Sequence, residues 1–62
     1  MNSSEIINKL KAAGFVHVRT AGSHHFFRHP DSKRTVVVPH PKKDLPIGTV
    51  KAIEKQSGVT FR

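Results

Sequence analysis

Apolar residues recur at helical spacing near the start of the chain. The residues on this stripe are Ile6, Ile7, Leu10 and Ala13. Asn2 and Ser3 are favourable N-cap residues, and Glu5 follows Asn2 at the spacing of a capping box. Gly14 is a typical helix stop. The pattern therefore predicts an amphipathic helix that begins near Asn2 and ends at Gly14.

Three short segments rich in β-branched and aromatic residues follow, at positions 15–20, 24–29 and 34–39. In the first of them such residues alternate with His17 and Arg19, which indicates a strand with one face exposed. Glycine, proline and short polar residues between the segments favour tight turns. Because parallel pairing would need a crossover of about a dozen residues or more, we expect an antiparallel meander.

A proline-rich segment at positions 40–46, HPKKDLP, predicts a loop that leads into a second helix. Asp44 is placed to cap this helix, with Pro46 in its first turn. Gly58 provides the stop. The expected buried stripe is Ile47, Val50, Ile53 and Ser57, whereas Lys51, Glu54 and Lys55 fall elsewhere on the helix.

The predicted fold class is α+β, with the order α-β-β-β-α in one domain over residues 1–62. Two amphipathic helices need an apolar surface, so we expect both on one face of a three-stranded antiparallel sheet. The length of 62 residues and an apolar content of 35% suffice for one thin core and exclude a two-domain enzyme. The other sheet face would be exposed and would carry Arg, Lys and His.

The chain is strongly basic, with 11 Lys and Arg against 4 Asp and Glu and a net charge of +7. A polyanion such as RNA is the natural partner, although a small soluble protein can also be merely basic. Absence of cysteine excludes disulfides, thiolate metal sites and cysteine nucleophiles. The first residues lack the features of a signal peptide, and no apolar run approaches the length of a membrane span, so we expect a cytoplasmic protein.

Five histidines lead the short inventory of possible acid–base catalysts. The densest group lies in GSHHFFRH, where strand alternation sends His24 and Arg28 to one face and His25 and His29 to the other. One of the two adjacent histidines should be exposed and the other partly packed, and the register decides which. Imidazole can serve the 2'-hydroxyl and the leaving 5'-oxygen in RNA transesterification, while a basic surface stabilises the phosphorane.

Other interpretations of these histidines are open. Each of them can be a polar residue on the wet face or edge of a sheet. His25 and His29 are four apart, but on a strand that spacing spans about 13 Å, which is too far for one ion. We therefore expect no metal site, since closed sites usually need three or four convergent ligands.

The proline-rich loop is a second candidate site. His40, Lys42 and Lys43 can contact phosphate, assisted by backbone amides at the start of the second helix. The same residues also suit a solvated connection held by prolines. Lys51 and Lys55 can extend the basic patch, or can form an ordinary solvated helix face with Glu54.

The motifs GSHHFFRHP and VPHPKKDLPIGTVKAI, in this order after a short helix and before KQSG, resemble the HicA family of bacterial mRNA interferase toxins. The resemblance covers positions 6–58. It implies a fold similar to the double-stranded-RNA-binding domain, metal-independent cleavage of mRNA with no cofactor, and neutralisation by a HicB antitoxin that covers the active site. By motif position it makes His24 catalytic, with Gly22 and Ser23 forming the turn that presents it.

The second catalytic group stays open. Arg28 shares the strand face of His24 and can hold the scissile phosphate through two oxygens, and His40 and Lys42 are further candidates. Two other functions compete with the ribonuclease. One is a non-catalytic RNA-binding module of the same fold, and the other is an interaction domain whose basic surface docks an acidic protein.

Overall fold

A computed structural model describes residues 1–61 of the chain. The elements follow the order helix, three strands, helix, which confirms the predicted fold class. Their bounds are α1 Ser3–Ala12, β1 Val16–Ala21, β2 His24–Arg28, β3 Thr35–Pro39 and α2 Ile47–Ser57. Neither helix has the length and apolar character of a membrane-spanning segment, within the residues described.

α1 begins with the capping box that the sequence predicts. The Glu5 backbone N–H donates to the Asn2 side chain at 2.8 Å, and the Asn2 N–H donates to the Glu5 carboxylate at 3.3 Å. These bonds satisfy backbone donors that the first turn of a helix leaves without partners. The helix then buries Ile6, Ile7 and Leu10.

The sheet is an antiparallel meander in the order β1-β2-β3. Ala21 pairs with His24 across Gly22 and Ser23, and His24 in turn pairs with Pro39. Both helices pack against one face, which we call the covered face, and the opposite side is the open face. This arrangement confirms the expectation that the helices share one side of the sheet.

The core lies between the covered face and the two helices. Phe27 is 1% exposed, and Val36 and Val38, its neighbours on β3, are fully buried. The sheet contributes these side chains at alternate positions, as expected for strands with one face packed. The core consists of Ile6, Ile7, Leu10, Phe15, Phe27, Val36, Val38, Leu45, Val50, Ile53 and Phe61.

Three predictions for α2 are wrong: the cap at Asp44, the place of Pro46 in the first turn, and the place of Ile47 in the buried stripe. Asp44 does not cap the helix: Pro46 occupies the N-cap without a side-chain hydrogen bond, and the Asp44 carboxylate instead pairs with the N-terminal amine at 3.2 Å. The Asp44 carboxylate is 89% exposed, so this ion pair with the chain terminus contributes little to stability. Ile47 is also not part of the buried stripe, because it lies in the first turn and is 57% exposed.

β1 departs from the alternation that its sequence indicates. Every residue of the strand is exposed, Val16 and Val18 by 54% each. The register with β2 shifts between His17 and Arg19, where a bulge places Val18 out of step. As a result His17 lies over the ring of Phe27 on the covered face, with 5.4 Å between the ring centroids.

α2 ends at Gly58, which has the left-handed φ of +75° that the predicted stop requires. The Arg34 guanidinium donates to the carbonyls of Lys55 and Gln56 at 3.4 and 3.3 Å. A cation at this end of a helix complements its dipole. Arg34 therefore holds the loop between β2 and β3 against the end of α2.

Candidate active site

A two-residue turn joins β1 to β2 and sets the position of His24. Gly22 has φ of +58°, and a Cβ added there would meet no atom within 4 Å. The requirement at Gly22 is therefore one of backbone conformation. A positive φ at the first of two turn residues is typical of type II' hairpins, in which glycine is favoured. The turn delivers His24 as the first residue of β2.

His24 faces the open side of the sheet and is exposed. Its cross-strand neighbours are Ala21 and Pro39, whose small side chains leave the imidazole accessible. Among residues 1–61, no side-chain hydrogen bond or ring contact is made to this imidazole. The choice that the sequence left open is thus resolved: His24 is the exposed member of the pair.

His25 is the partly packed member of the pair. Its ring lies on the covered face, with centroids 5.4 Å from His17 and 4.9 Å from His40. Partial burial lowers the pKa of His25 below the usual 6.5, and the neighbouring rings of His40 and His17 lower that pKa further. His17 itself shares a hydrogen bond of 2.7 Å with the Thr20 hydroxyl.

His40 connects the proline-rich loop to the turn and to α1. Its backbone N–H donates to the Ser23 carbonyl at 2.8 Å. Its Nδ1 lies 2.6 Å from the buried Ser3 hydroxyl, which also accepts a hydrogen bond from the Lys42 N–H at 2.9 Å. The His40 side chain is thus on the covered side, away from the face of His24, and substrate contact by this ring stays a prediction.

His29 has a structural environment. The backbone N–H groups of Asp31 and Ser32 donate to its Nδ1 at 3.1 and 3.3 Å, so in the neutral ring the proton is on Nε2. That nitrogen lies 3.2 Å from the Ala13 carbonyl. The ring also packs edge-on against Phe15, with 5.2 Å between centroids. His29 therefore closes the loop after β2 onto the end of α1.

The open face carries a basic and apolar surface beside His24. Phe26 and Arg28 follow His24 on the same side of β2. The Arg19 guanidinium carbon lies 3.9 Å from the centroid of the Phe26 ring, which is a cation–π contact. Beyond it is a shallow depression of about 270 Å³, lined by Val16, Val18, Arg28, Pro30 and Lys33.

The sequence-predicted site residues fall into two groups. Gly22, Ser23, His24 and Arg28 belong to one hairpin, with His24 and Arg28 on its open face. Lys42 and Lys43 lie elsewhere, at a depression of about 440 Å³ next to the start of α1. The loop that carries these lysines begins at His40, whose N–H binds the Ser23 carbonyl beside His24, and phosphate contact by Lys42 and Lys43 stays a prediction. No group of three or more His, Cys, Asp or Glu side chains within residues 1–61 is arranged to hold a metal ion.

Sequence reasoning missed the contact between Arg19 and Phe26. The signal was present, because a two-residue turn at Gly22 and Ser23 makes Ala21 pair with His24 and therefore Arg19 with Phe26. No comparable signal in the sequence indicates the bulge at Val18. It changes the register only for the residues that precede Arg19.

Comparisons with known proteins bear on the fold and the family of the chain. A family profile described as the HicA toxin of bacterial toxin–antitoxin systems matches residues 3–59. A solved structure of a "HicA3 and HicB3 toxin-antitoxin complex" contains a similar chain, with a TM-score of 0.77, 27% sequence identity and 100% coverage of both chains. No curated protein matches the chain in sequence. Because the profile spans nearly the whole chain, the protein belongs to the HicA family of toxins of bacterial toxin–antitoxin systems.

Proposed function

We propose that this toxin is a metal-independent endoribonuclease that cleaves mRNA, with His24 as its general acid–base catalyst. The observation that carries the proposal is the contrast among the five histidines. The rings of His17, His25, His29 and His40 all have side-chain or backbone partners. Only the His24 imidazole is without such a contact from residues 1–61, and it stands on a basic surface.

The proposed reaction is an internal transesterification. The imidazole accepts the proton of a 2'-hydroxyl as that oxygen attacks the adjacent phosphorus, and the bond from phosphorus to the 5'-oxygen breaks. The leaving oxygen gains a proton from the imidazolium or from water. The products are a 2',3'-cyclic phosphate and a 5'-hydroxyl, so atoms and charge balance without an added reactant. One general acid–base group supplies about 10²- to 10⁴-fold of rate.

Arg28 is the proposed phosphate ligand on the same face. It is exposed and lies at the opposite end of β2 from His24, about 13 Å away by strand geometry. At that separation the guanidinium holds a phosphate next to the scissile one. Gly22 and Ser23 contribute the turn that presents His24, and His40, Lys42 and Lys43 extend the proposed contacts with the RNA backbone.

A HicB-type antitoxin is the proposed protein partner. The similar solved structure is a complex of HicA3 with HicB3, and the matching chain in it aligns with this one over its full length. A net charge of +7 favours fast association with a protein that carries acidic patches. Covering His24 would block RNA. The cytoplasm, where mRNA is translated, is the proposed place of action, and the result is inhibition of translation and growth.

The test is incubation of end-labelled RNA with the purified chain in EDTA, in parallel with His24→Ala. His17→Gln is the matched control, because it removes an exposed imidazole from the other face and can keep a hydrogen bond to Thr20. We expect cleavage by the wild type and the control, cyclic-phosphate ends, and a loss of at least about 100-fold in His24→Ala. Circular dichroism checks that each variant is folded.

Two results would contradict the proposal. Equal cleavage by wild type and His24→Ala would remove this residue from the reaction. Salt-sensitive RNA binding with no cleavage by any variant would instead support a non-catalytic RNA-binding module. Such a module is also compatible with the single imidazole that residues 1–61 place on the open face.

A further inference from the structure

The open face of the sheet has a row of side chains suited to an unpaired nucleotide. Its middle row is Arg19, Phe26 and Val37, one residue from each strand, and His24 lies in the next row. We propose that Arg19 and Phe26 form a base-stacking platform that positions single-stranded RNA beside His24. This proposal rests on the proposed function. The substrate class is therefore an unpaired strand and not a duplex.

The contact between Arg19 and Phe26 carries this inference. The guanidinium lies over the ring at the distance of a cation–π contact, with 3.9 Å from its carbon to the ring centroid. Arg19 is exposed, and Phe26 is only partly buried. Bases of single-stranded RNA stack on aromatic rings and on guanidinium planes. The pair is thus a preformed stacking surface, held in place by the hairpin register.

Charge on the same face favours a polyanion. Arg19 and Arg28 flank Phe26, and Lys33 lines the depression beyond Arg28. The three strands contain no Asp or Glu. A backbone that passes from His24 towards Lys33 would therefore meet cations along its path, and Val16 and Val18 are the apolar residues that line the depression with them.

Dimensions of the face fit a short single strand. His24 and Arg28 are at opposite ends of β2, which corresponds to about 13 Å, and the neighbouring strands are each about 4.8 Å from β2. In a duplex the flat sides of the bases are stacked on one another, so they are not available to Arg19 and Phe26. A duplex is recognised mostly through its shape, phosphates and 2'-hydroxyls, and the platform would contribute little to that contact.

The test measures binding in the His24→Ala background, so that RNA is not consumed and the result does not depend on catalysis. The probes are a fluorescent single-stranded RNA of about eight nucleotides, the same strand with abasic sites, and the corresponding duplex. The variants are Phe26→Leu, which keeps an apolar side chain, and Arg19→Gln. Lys51→Gln on α2 is the control for loss of one positive charge. Urea unfolding checks the stability of each variant.

We expect Phe26→Leu to weaken binding of the normal single strand by about 10-fold, within the range known for stacking of one base. Arg19→Gln should have at least that effect, whereas Lys51→Gln should weaken binding less. Binding of the abasic strand should be weak and nearly insensitive to Phe26→Leu. A merely structural role of Phe26 would affect both strands equally.

Several results would overturn the platform. They are unchanged binding in Phe26→Leu, equal losses for the normal and abasic strands, and tighter binding of the duplex than of the single strand. Another is loss of binding to a HicB-type antitoxin in Phe26→Leu with RNA binding intact, because the surface would then serve the protein partner. Cleavage of RNA by the His24-containing chain would distinguish these results from failure of the proposed function.

Discussion

The two faces of the sheet place histidines in different surroundings. On the covered face, His25 contacts both His17 and His40, and His40 reaches the buried Ser3 hydroxyl. On the open face, His24 has no such contact from residues 1–61. Adjacent residues of β2 thus have opposite roles, because alternation sends one side chain into the packed region and the other to solvent. The number of histidines alone is a poor guide to chemistry.

The adjacent residues Phe26 and Phe27 should show the largest difference in stability between the two faces. Phe27→Ala should destabilise the fold by about 3–5 kcal/mol, since it empties a site that is 1% exposed. That loss approaches the total stability of a domain this small, so the variant should be largely unfolded. Phe26→Ala, on the open face, should cost about 1 kcal/mol. Urea unfolding followed by circular dichroism measures both, and equal losses would contradict the assignment of faces.

Ser3 tests the covered side through a buried polar group. Its side chain links α1 to His40 and Lys42, and the residue is 1% exposed. Ser3→Ala leaves the Lys42 N–H and His40 Nδ1 without this partner, and should cost about 1–3 kcal/mol. Ser4→Ala is the matched control, because Ser4 is exposed in the same turn. In chemical denaturation, Ser3→Ala should be less stable than Ser4→Ala. Similar stabilities would show that the link contributes little.

Gly14 and Gly48 differ in the space that surrounds them, so the same substitution should have opposite effects on stability. A Cβ at Gly14 would lie 2.8 Å from His29 Nε2, and φ there is +99°. Gly14→Ala should therefore cost about 1–3 kcal/mol. Gly48, in the first turn of α2, has no atom within 4 Å of an added Cβ. Gly48→Ala should stabilise by about 0.5–1 kcal/mol, and thermal melts that moved in the same direction would contradict this explanation.

Lowering the pH should destabilise the fold through His25, on the covered face. The pKa of His25 is lowered in the folded protein by partial burial, then by His40 and His17, whereas the unfolded chain has the usual 6.5. Below that pH the unfolded state binds more protons, so stability should be full above about pH 6.5 and should decrease as the pH falls below that value and through the lower pKa of the folded protein. His25→Gln should make the fall shallower. The midpoint of urea unfolding, measured at several pH values below and above 6.5, gives this pH dependence. The same dependence in the wild type and in His25→Gln would contradict the role of His25.

Much of the fold was predictable because local signals agreed with one another. The capping box at Asn2, the stop at Gly58 and the glycine turn at Gly22 are short-range features, and the structure contains all three. The error at Asp44 has a different origin. Its partner is the amine of Met1, 43 positions away in sequence, and no local pattern specifies such a pair.

The candidate site was predictable in part for the same reason. Alternation correctly separated His24 from His25, but the sequence alone did not say which of them faces solvent. That choice depends on which side of β2 the helices cover, and Phe27 decides it through its burial against them. The position of His17 was missed because the bulge at Val18 changes which side chains of β1 face the helices.

A comparison of His24→Gln with His25→Gln decides between the roles assigned to the two adjacent histidines. Both changes remove one imidazole from neighbouring positions of β2 and keep a polar side chain. For each variant, RNA cleavage would be measured in EDTA. Unfolding by urea would be measured at about pH 5.5 and 7.5, on either side of the ordinary histidine pKa. We predict that His24→Gln loses cleavage with unchanged stability, and that His25→Gln retains cleavage but alters the acid dependence of stability. Cleavage lost in His25→Gln and retained in His24→Gln would contradict the account.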